Sequence, residues 1–352
     1  MIERILSEKS AWEKLAESPR PIVLYGMGNG ADMVLDECCR LNIPVAGVFA
    51  SDDFVRGQSF RGFRVKKLAE LERELGEVTV AVCFASSLDD VMNHIVAVSR
   101  RHPLLVPSVP VTGKDLFNRT FAENHREKLD AAFDLLADEE SRRVLEGCAR
   151  AMFGGELSDI MATACPKETV FESFFKLGEG EHYLDLGAYR GDTVEEFLRF
   201  TGGKYETITA LEPDGKSFAK LETGLAQIPR AAAIHGCAYD RDGEIPFQNA
   251  AGRQSAIGKS GKAVPCFTVD SLAKKDAPTY IKADIEGAEK EMLRGAAATL
   301  ASCKPKLSIS AYHRSEDIFE IPLLIHSLNP SYKIYLRRHP YIPCWESIFY
   351  CL

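Results

Sequence analysis

Three acidic stations, separated by glycine-bearing turns, carry the chemistry that can be read from this chain. The first is Asp185 in His182-Tyr183-Leu184-Asp185-Leu186-Gly187-Ala188-Tyr189-Arg190-Gly191-Asp192-Thr193. An apolar run ends in Asp185-x-Gly187, the loop continues to Gly191, and Val194, Phe197 and Leu198 then recur at helical spacing. The stretch reads as strand, tight glycine turn and helix, with Asp192 and Glu195 at capping-box spacing near a positive helix N-terminus. The second station is Glu212, 25 positions beyond Gly187, at the end of another apolar run. In nucleotide-binding α/β units an acid roughly 20 residues on accepts hydrogen bonds from a ribose diol.

The spacing decides between cofactors. A pyrophosphate site uses G-x-G-x-x-G, whereas this chain has Asp185-x-Gly187-x-x-x-Gly191, with an acid before the first glycine. An acid there repels a pyrophosphate and suits a cationic amine. S-adenosylmethionine (SAM) offers an amine, a sulfonium and a ribose diol without phosphate. On this reading Asp185, Gly187, Ala188, Tyr189, Gly191, Asp192 and Thr193 border its methionine and sugar. Glu212 takes the ribose hydroxyls, and Ala238 and Tyr239, in Gly236-Cys237-Ala238-Tyr239, flank the adenine. The bland alternative is an ordinary strand–helix turn followed by a surface glutamate.

Elements that could position these stations follow from periodicity. Residues 1–19 read as a short amphipathic helix, with Ile5, Trp12 and Leu15 among charges. Apolar runs at 21–25, 45–50, 61–65, 78–85 and 104–106 alternate with helical patterns, which predicts a small parallel α/β unit over residues 1–112. Its Gly26-x-Gly28-x-Gly30, with Asp52 or Asp53 after the next strand, is half of a dinucleotide fingerprint with the third glycine one place early. Residues 113–170 form a helical connector, broken near Ala137-Asp138. Residues 171–352 make a second unit with strands near 182–186, 207–211, 231–234, 279–285 and 306–310. Two further runs near 332–336 and 347–350, joined without a helix, predict a terminal antiparallel hairpin beside five parallel strands.

Bulk properties narrow the classes. The chain has 352 residues, room for two domains at about 150 each. Its net charge of -8 argues against a non-specific nucleic-acid or anionic-membrane binder. No apolar run approaches the length of a membrane span and no signal segment opens the chain, so a cytoplasmic protein is expected. Ten cysteines without a C-x-x-C pair indicate neither zinc nor a disulfide framework.

The C-terminal two thirds, roughly residues 120–352, resembles the FkbM-type SAM-dependent methyltransferases. The strings that carry the likeness are Leu184-Asp185-Leu186-Gly187-Ala188, Leu211-Glu212-Pro213-Asp214, Ile281-Lys282-Ala283-Asp284-Ile285-Glu286-Gly287-Ala288-Glu289 and Ser310-Ala311-Tyr312-His313, with the tail from Tyr332 to Arg338. Ala283 departs from the larger apolar residue usual there. The resemblance implies a Rossmann-like methyltransferase sheet and O-methylation of a hydroxyl on a sugar, glycan or secondary metabolite. Residues 1–112 resemble the Rossmann-like N-terminal domains of bacterial sugar-modifying enzymes.

Within that frame Asp284 lies at the end of the fourth strand and Glu286 two residues on. His313 sits past the fifth strand, on the rim where α/β sheets bind ligands. A carboxylate and an imidazole converging there form a general-base pair for an alcohol. The same three could instead hold a divalent cation, Asp284 could orient the cofactor's amino group or cap the next helix, and Glu286 and Glu289 could be helix N-terminal charges. The stretch from Asn249 to Gly261, with Gln254 and Ser255, is a lid or a surface loop. Two rival functions remain open: a nicotinamide-dependent oxidoreductase using Gly26–Gly30, and a non-catalytic nucleotide-binding module.

Overall fold

The computed structural model describes residues 1–248, 256–257 and 261–352; Gln254 and Ser255 lie outside the described residues. The first sheet comprises β1 (Ile22–Tyr25), β2 (Val45–Phe49), β3 (Ser59–Phe60), β4 (Phe63–Lys66), β5 (Thr79–Val82) and β6 (Leu104–Leu105), in the order β3-β4-β2-β1-β5-β6. All its pairings are parallel except the β3–β4 hairpin. That hairpin divides the single strand expected at 61–65, because Arg61 and Gly62 both adopt positive φ (49° and 89°) and turn the chain. β1 is buried along its length, as a central parallel strand covered on both faces must be. The single helix expected at 1–19 is two, Ile2–Leu6 and Ala11–Ala16. Ser10 breaks them by forming a capping box with Glu13.

Five helices between Arg119 and Ser173 separate the sheets; the longest, Glu139–Gly154, is capped by Asp138, whose Oδ1 accepts from Ser141 N at 2.7 Å. Its flanking segments pair with both sheets. Val106 N donates to Gly155 O (2.8 Å) beside β6, and Ala137 N donates to Ile334 O (2.9 Å) at the far edge of the second sheet. One apolar cluster runs from Val23 and Val80 through Leu145 and Cys148 to Leu184 and Ile309. The two sheets therefore share a core through the helical layer.

The second unit contains β7 (His182–Leu186), β8 (Thr207–Glu212), β9 (Ala231–His235), β10 (Cys237–Ala238), β11 (Gly243–Gln248), β12 (Ala256–Ile257), β13 (Lys262–Phe267), β14 (Tyr280–Ala283), β15 (Lys306–Ser310), β16 (Ile334–Arg338) and β17 (Ser347–Cys351). Its main sheet runs β16-β17-β15-β14-β7-β8-β9, and β10 to β13 form a small separate sheet. The terminal hairpin is present, but β17 inserts between β15 and β16, antiparallel to both. β16 therefore runs in the direction of the five parallel strands and becomes the edge. An open edge would invite foreign strands; here Leu136–Ala137 and Ala164–Cys165 cover it. Among the described residues no helix is long and apolar enough to cross a membrane, and the ten cysteines are free.

Arg338, fully buried at the end of β16, fastens this edge to the helical layer. Its guanidinium donates to Thr163 Oγ1 (2.7 Å), Tyr341 O (2.8 Å) and Ile160 O. Arg338→Met should remove three buried hydrogen bonds donated by a charged group, at a cost on the order of 3 kcal/mol. Urea unfolding monitored by far-UV circular dichroism would measure it; a stability within 1 kcal/mol of wild type (about one hydrogen bond) would show that the contacts are dispensable.

Candidate active site

The sheet order β8-β7-β14-β15 arranges the expected stations in a row along one carboxyl edge, with Glu212 ending β8, Gly187 following β7, Asp284 following β14 and His313 following β15. Gly187 has φ 78°, and a Cβ there would lie 2.0 Å from the carbonyl oxygen of Asp284. Only glycine permits this closeness. Asp284 N donates to Leu186 O (3.0 Å), and Gly187 N and Ala188 N both donate to Leu211 O (3.0 and 2.9 Å), so three strand ends are stitched together.

Glu212 is buried at this junction. Its Oε2 accepts from Tyr189 N and its Oε1 from Asp214 N, each at 2.8 Å. Burial pushes its carboxyl up to about 7 despite those donors. Each oxygen retains a second lone pair, and Tyr189 beside it is exposed, with φ 49° and Arg190 stacked on its ring. The residues present thus fit a ribose diol at Glu212, with a side-chain-free cradle at Gly187.

Two expectations are corrected. Asp185 cannot face a ligand amine directly, because its side chain is fully buried and its charge is met from within. Lys282 Nζ lies 3.1 Å from Oδ1, and Thr193 Oγ1 donates to Oδ2 at 2.5 Å. Burial disfavours the lysine charge, but Asp185 and Asp284 outweigh it and hold Lys282 above its ordinary value. The Asp192–Glu195 capping box is not formed: Gly191, in a left-handed conformation (φ 97°), is the N-cap, and both acids lie in the first turn of helix Asp192–Thr201. In addition, β9 ends at His235, and Cys237–Ala238 belong to the small sheet. Ala238 is a core residue, whereas Tyr239 is partly exposed under Arg241.

At the other end of the row, Asp284, Glu286 and His313 do converge. His313, 1% exposed, has Nε2 3.2 Å from Asp284 Oδ1 and 3.6 Å from Glu286 Oε2, while its Nδ1 faces Glu289 Oε1 at 3.0 Å. Burial opposes the imidazolium, yet Glu289 and Asp284 outweigh it and raise His313 well above its usual value. Burial also opposes the Asp284 carboxylate, but His313 and then Lys282 hold it below the usual range. His313 is therefore a charged partner at neutral pH rather than a free base.

Four neighbours escaped the sequence reading. Tyr312 donates from its hydroxyl to Asp284 (3.1 Å) and lies 3.5 Å from Glu346 Oε1. Glu289 is a buried partner of His313 as well as an acid in the first turn of helix Glu289–Arg294. Lys282 stands opposite Asp185 in the β7–β14 register, an opposite-charge pair visible once strand pairing is assigned. Glu346 arrives only through the inserted β17. A small pocket beside this row is lined by Lys167, Glu196, Lys282, Asp284 and Glu346 together with the rings of Phe171, Phe197, Phe200 and Tyr280.

The parallel sheet with its terminal inserted strand gives this unit the Rossmann-like fold seen in methyltransferases. Residues 185–332 match the family model described as the methyltransferase FkbM domain. The whole chain is similar to a methyltransferase FkbM from Methylobacillus flagellatus KT, with 20% identity and a TM-score of 0.71, covering 100% of this chain and 93% of that one. The two share a fold. Fibrillarin from Aeropyrum pernix, solved with S-adenosyl-L-methionine, is similar at 12% identity over 55% of this chain and 74% of its own. Its TM-score of 0.35 is too low to support more. No curated protein matches the chain.

Gly187→Ala is expected to push the β7 and β14 ends apart and to cost on the order of 3 kcal/mol, from the left-handed φ and the collision together. Denaturant unfolding would measure this, and an unaltered midpoint would mean that the two turns do not meet as closely as 2.0 Å implies.

Proposed function

We propose that this chain transfers a methyl group from SAM to a hydroxyl oxygen of a sugar, glycan or comparable metabolite. The observation that carries the reading is the row Glu212, Gly187, Asp284, Glu286 and His313 along one sheet edge. It offers a ribose-binding acid at one end and proton-accepting groups at the other, with a gap lacking a side chain between them. When bound, SAM supplies an electrophilic methyl whose bonding electrons stay with its sulfur as the new carbon–oxygen bond forms.

The chain's own residues have three tasks. Glu212 accepts the ribose hydroxyls, with Ala188 and Tyr189 beside it, and Gly187 admits the ligand backbone closely. Gly191, Asp192 and Thr193 shape this side indirectly, Thr193 by holding Asp185. Asp284 and Glu286 orient the acceptor hydroxyl, and Glu286 takes its proton as the oxygen acquires carbon. His313, charged between Asp284 and Glu289, keeps Asp284 ionised and fixed. Alignment of oxygen, carbon and sulfur supplies much of the acceleration. Ser86, which follows β5, exchanges backbone hydrogen bonds with Ile342 (2.7 and 3.0 Å), four positions before Glu346 in the chain. This supports a role for the N-terminal unit on the acceptor side.

Calorimetric titration with SAM tests the first task. Glu212→Ala should weaken binding by roughly 1.5–3 kcal/mol, the size of a charged hydrogen bond; NAD binding in place of SAM would sink the reading. The raised carboxyl adds a pH signature. Glu212 is neutral below about 7 and ionised above it, and only the ionised form accepts fully from a diol. SAM affinity should therefore rise about tenfold between pH 6 and 8 in wild type and stay flat in Glu212→Gln.

A further inference from the structure

We propose that Asp284, Glu286 and His313 hold a divalent cation of the Mg²⁺ or Mn²⁺ class, which on binding would displace the Nε2 proton of the charged imidazole to solvent; the inference rests on the methyl-transfer reading only for what the ion would act on. His313 Nε2 lies 3.2 Å from Asp284 Oδ1 and 3.6 Å from Glu286 Oε2. Neighbouring ligands of an octahedral ion with bonds of about 2.1 Å lie roughly 3 Å apart, close to both of these separations from the imidazole nitrogen. Donor atoms of Asp284, Glu289 and His313 also fall within 4.8 Å of one another.

What distinguishes this cluster from a solvated acidic patch is the buried side chain behind it. Glu289 is 1% exposed and faces the opposite ring nitrogen, Nδ1, at 3.0 Å. A carboxylate on the far nitrogen is the arrangement that aims a histidine at a metal and raises its basicity. Glu289 Oε1 accepts from Ile285 N (2.9 Å), whereas the buried Oε2 has no hydrogen-bond partner among the described residues. Such an atom calls for a positive neighbour. Tyr312 in turn steadies Asp284 through its hydroxyl.

Charge points the same way. Asp284, Glu286, Glu289 and the buried Asp317 surround a single imidazole. Of the nearby lysines, Lys290 pairs with Glu316 at 3.1 Å, and Lys282 pairs with Asp185 while also acting on Asp284. Carboxylates with one imidazole and no thiolate favour a hard ion over a soft one. An ion there would take the acceptor oxygen in an open position, fixing it and lowering its proton affinity. The bonds that break and form are unchanged, and the proton still leaves to Glu286.

The test is titration of the chelator-treated full chain with MnCl₂, reading free Mn²⁺ by electron paramagnetic resonance, with SAM calorimetry in parallel. Wild type should take up Mn²⁺ saturably. Asp284→Asn should abolish uptake, and Glu289→Gln should weaken it roughly 10–100-fold, both while retaining SAM binding. Absence of saturable uptake by a wild-type protein that binds SAM would overturn the proposal, and so would uptake unaltered by Asp284→Asn. Saturable uptake sensitive to Asp284 in a chain that fails to bind SAM would uphold the ion site and remove the methyl-transfer reading instead. The wild-type titration does not depend on any variant folding.

Discussion

The approach of Gly187 to the carbonyl of Asp284 governs the arrangement around it. With no side chain at 187, the ends of β7 and β14 close until the loop of one lies against the backbone of the other. Everything that distinguishes this edge follows from that contact, since it sets how far Glu212 stands from the acids beyond β14. Just beneath it, Lys282 bridges the same two strands by reaching both the Asp185 carboxylate and Gly187 O at 3.0 Å. A buried pair of this kind contributes little net stability, because desolvation offsets most of the attraction. Its value here is in register: either charge would be stranded if β14 slipped against β7.

Backbone strain collects at the same rim. Tyr189, Glu286 and Glu346 are non-glycine residues with φ of 49°, 54° and 58°, a conformation that costs of order 1 kcal/mol or more at each. All three border the row of acids or contact it. Such strain persists only where surrounding packing over-determines the chain, and the sheet beneath these turns is buried on both faces. The rigid centre thus holds in place loops that would relax if isolated.

The helical layer extends this rigidity to the N-terminal unit. Asp138 caps the long helix and also pairs with Arg337 of β16 at 2.7 Å, so one carboxylate starts a helix and anchors an edge strand. Thr112 N donates to His313 O (2.9 Å), and Ser315 Oγ donates to Asp115 O (2.5 Å). The segment after β6 thereby runs directly against the site. The first sheet's glycine loop has its own packing demand, since a Cβ on Gly30 would fall 2.4 Å from Cys83 O. Close helix–strand packing accounts for that glycine without any bound nucleotide.

Much of this was legible in sequence because it is local. Strand identity at 182–186, 207–212 and 306–310 follows from apolar runs bounded by turns, and Glu212, Asp284 and His313 stand at strand ends that those runs define. The convergence of Asp284, Glu286 and His313 also followed, given the strand order that the resemblance supplied. Long-range pairing decided the rest. The burial of Asp185 against Lys282 depends on β7 lying beside β14, nearly 100 residues away (|i−j| of 95 for the Lys282–Gly187 contact). The insertion of β17 between β15 and β16, which brings in Glu346, leaves no mark on the periodicity of either run. The loss of the Asp192 cap turned on one φ at Gly191, and the inward turn of Glu289 on where His313 arrived. Residue type and period determined which groups could act; which of them face a ligand and which neutralise one another was settled by strand order and burial, because charge is tuned by neighbours that sequence spacing does not specify.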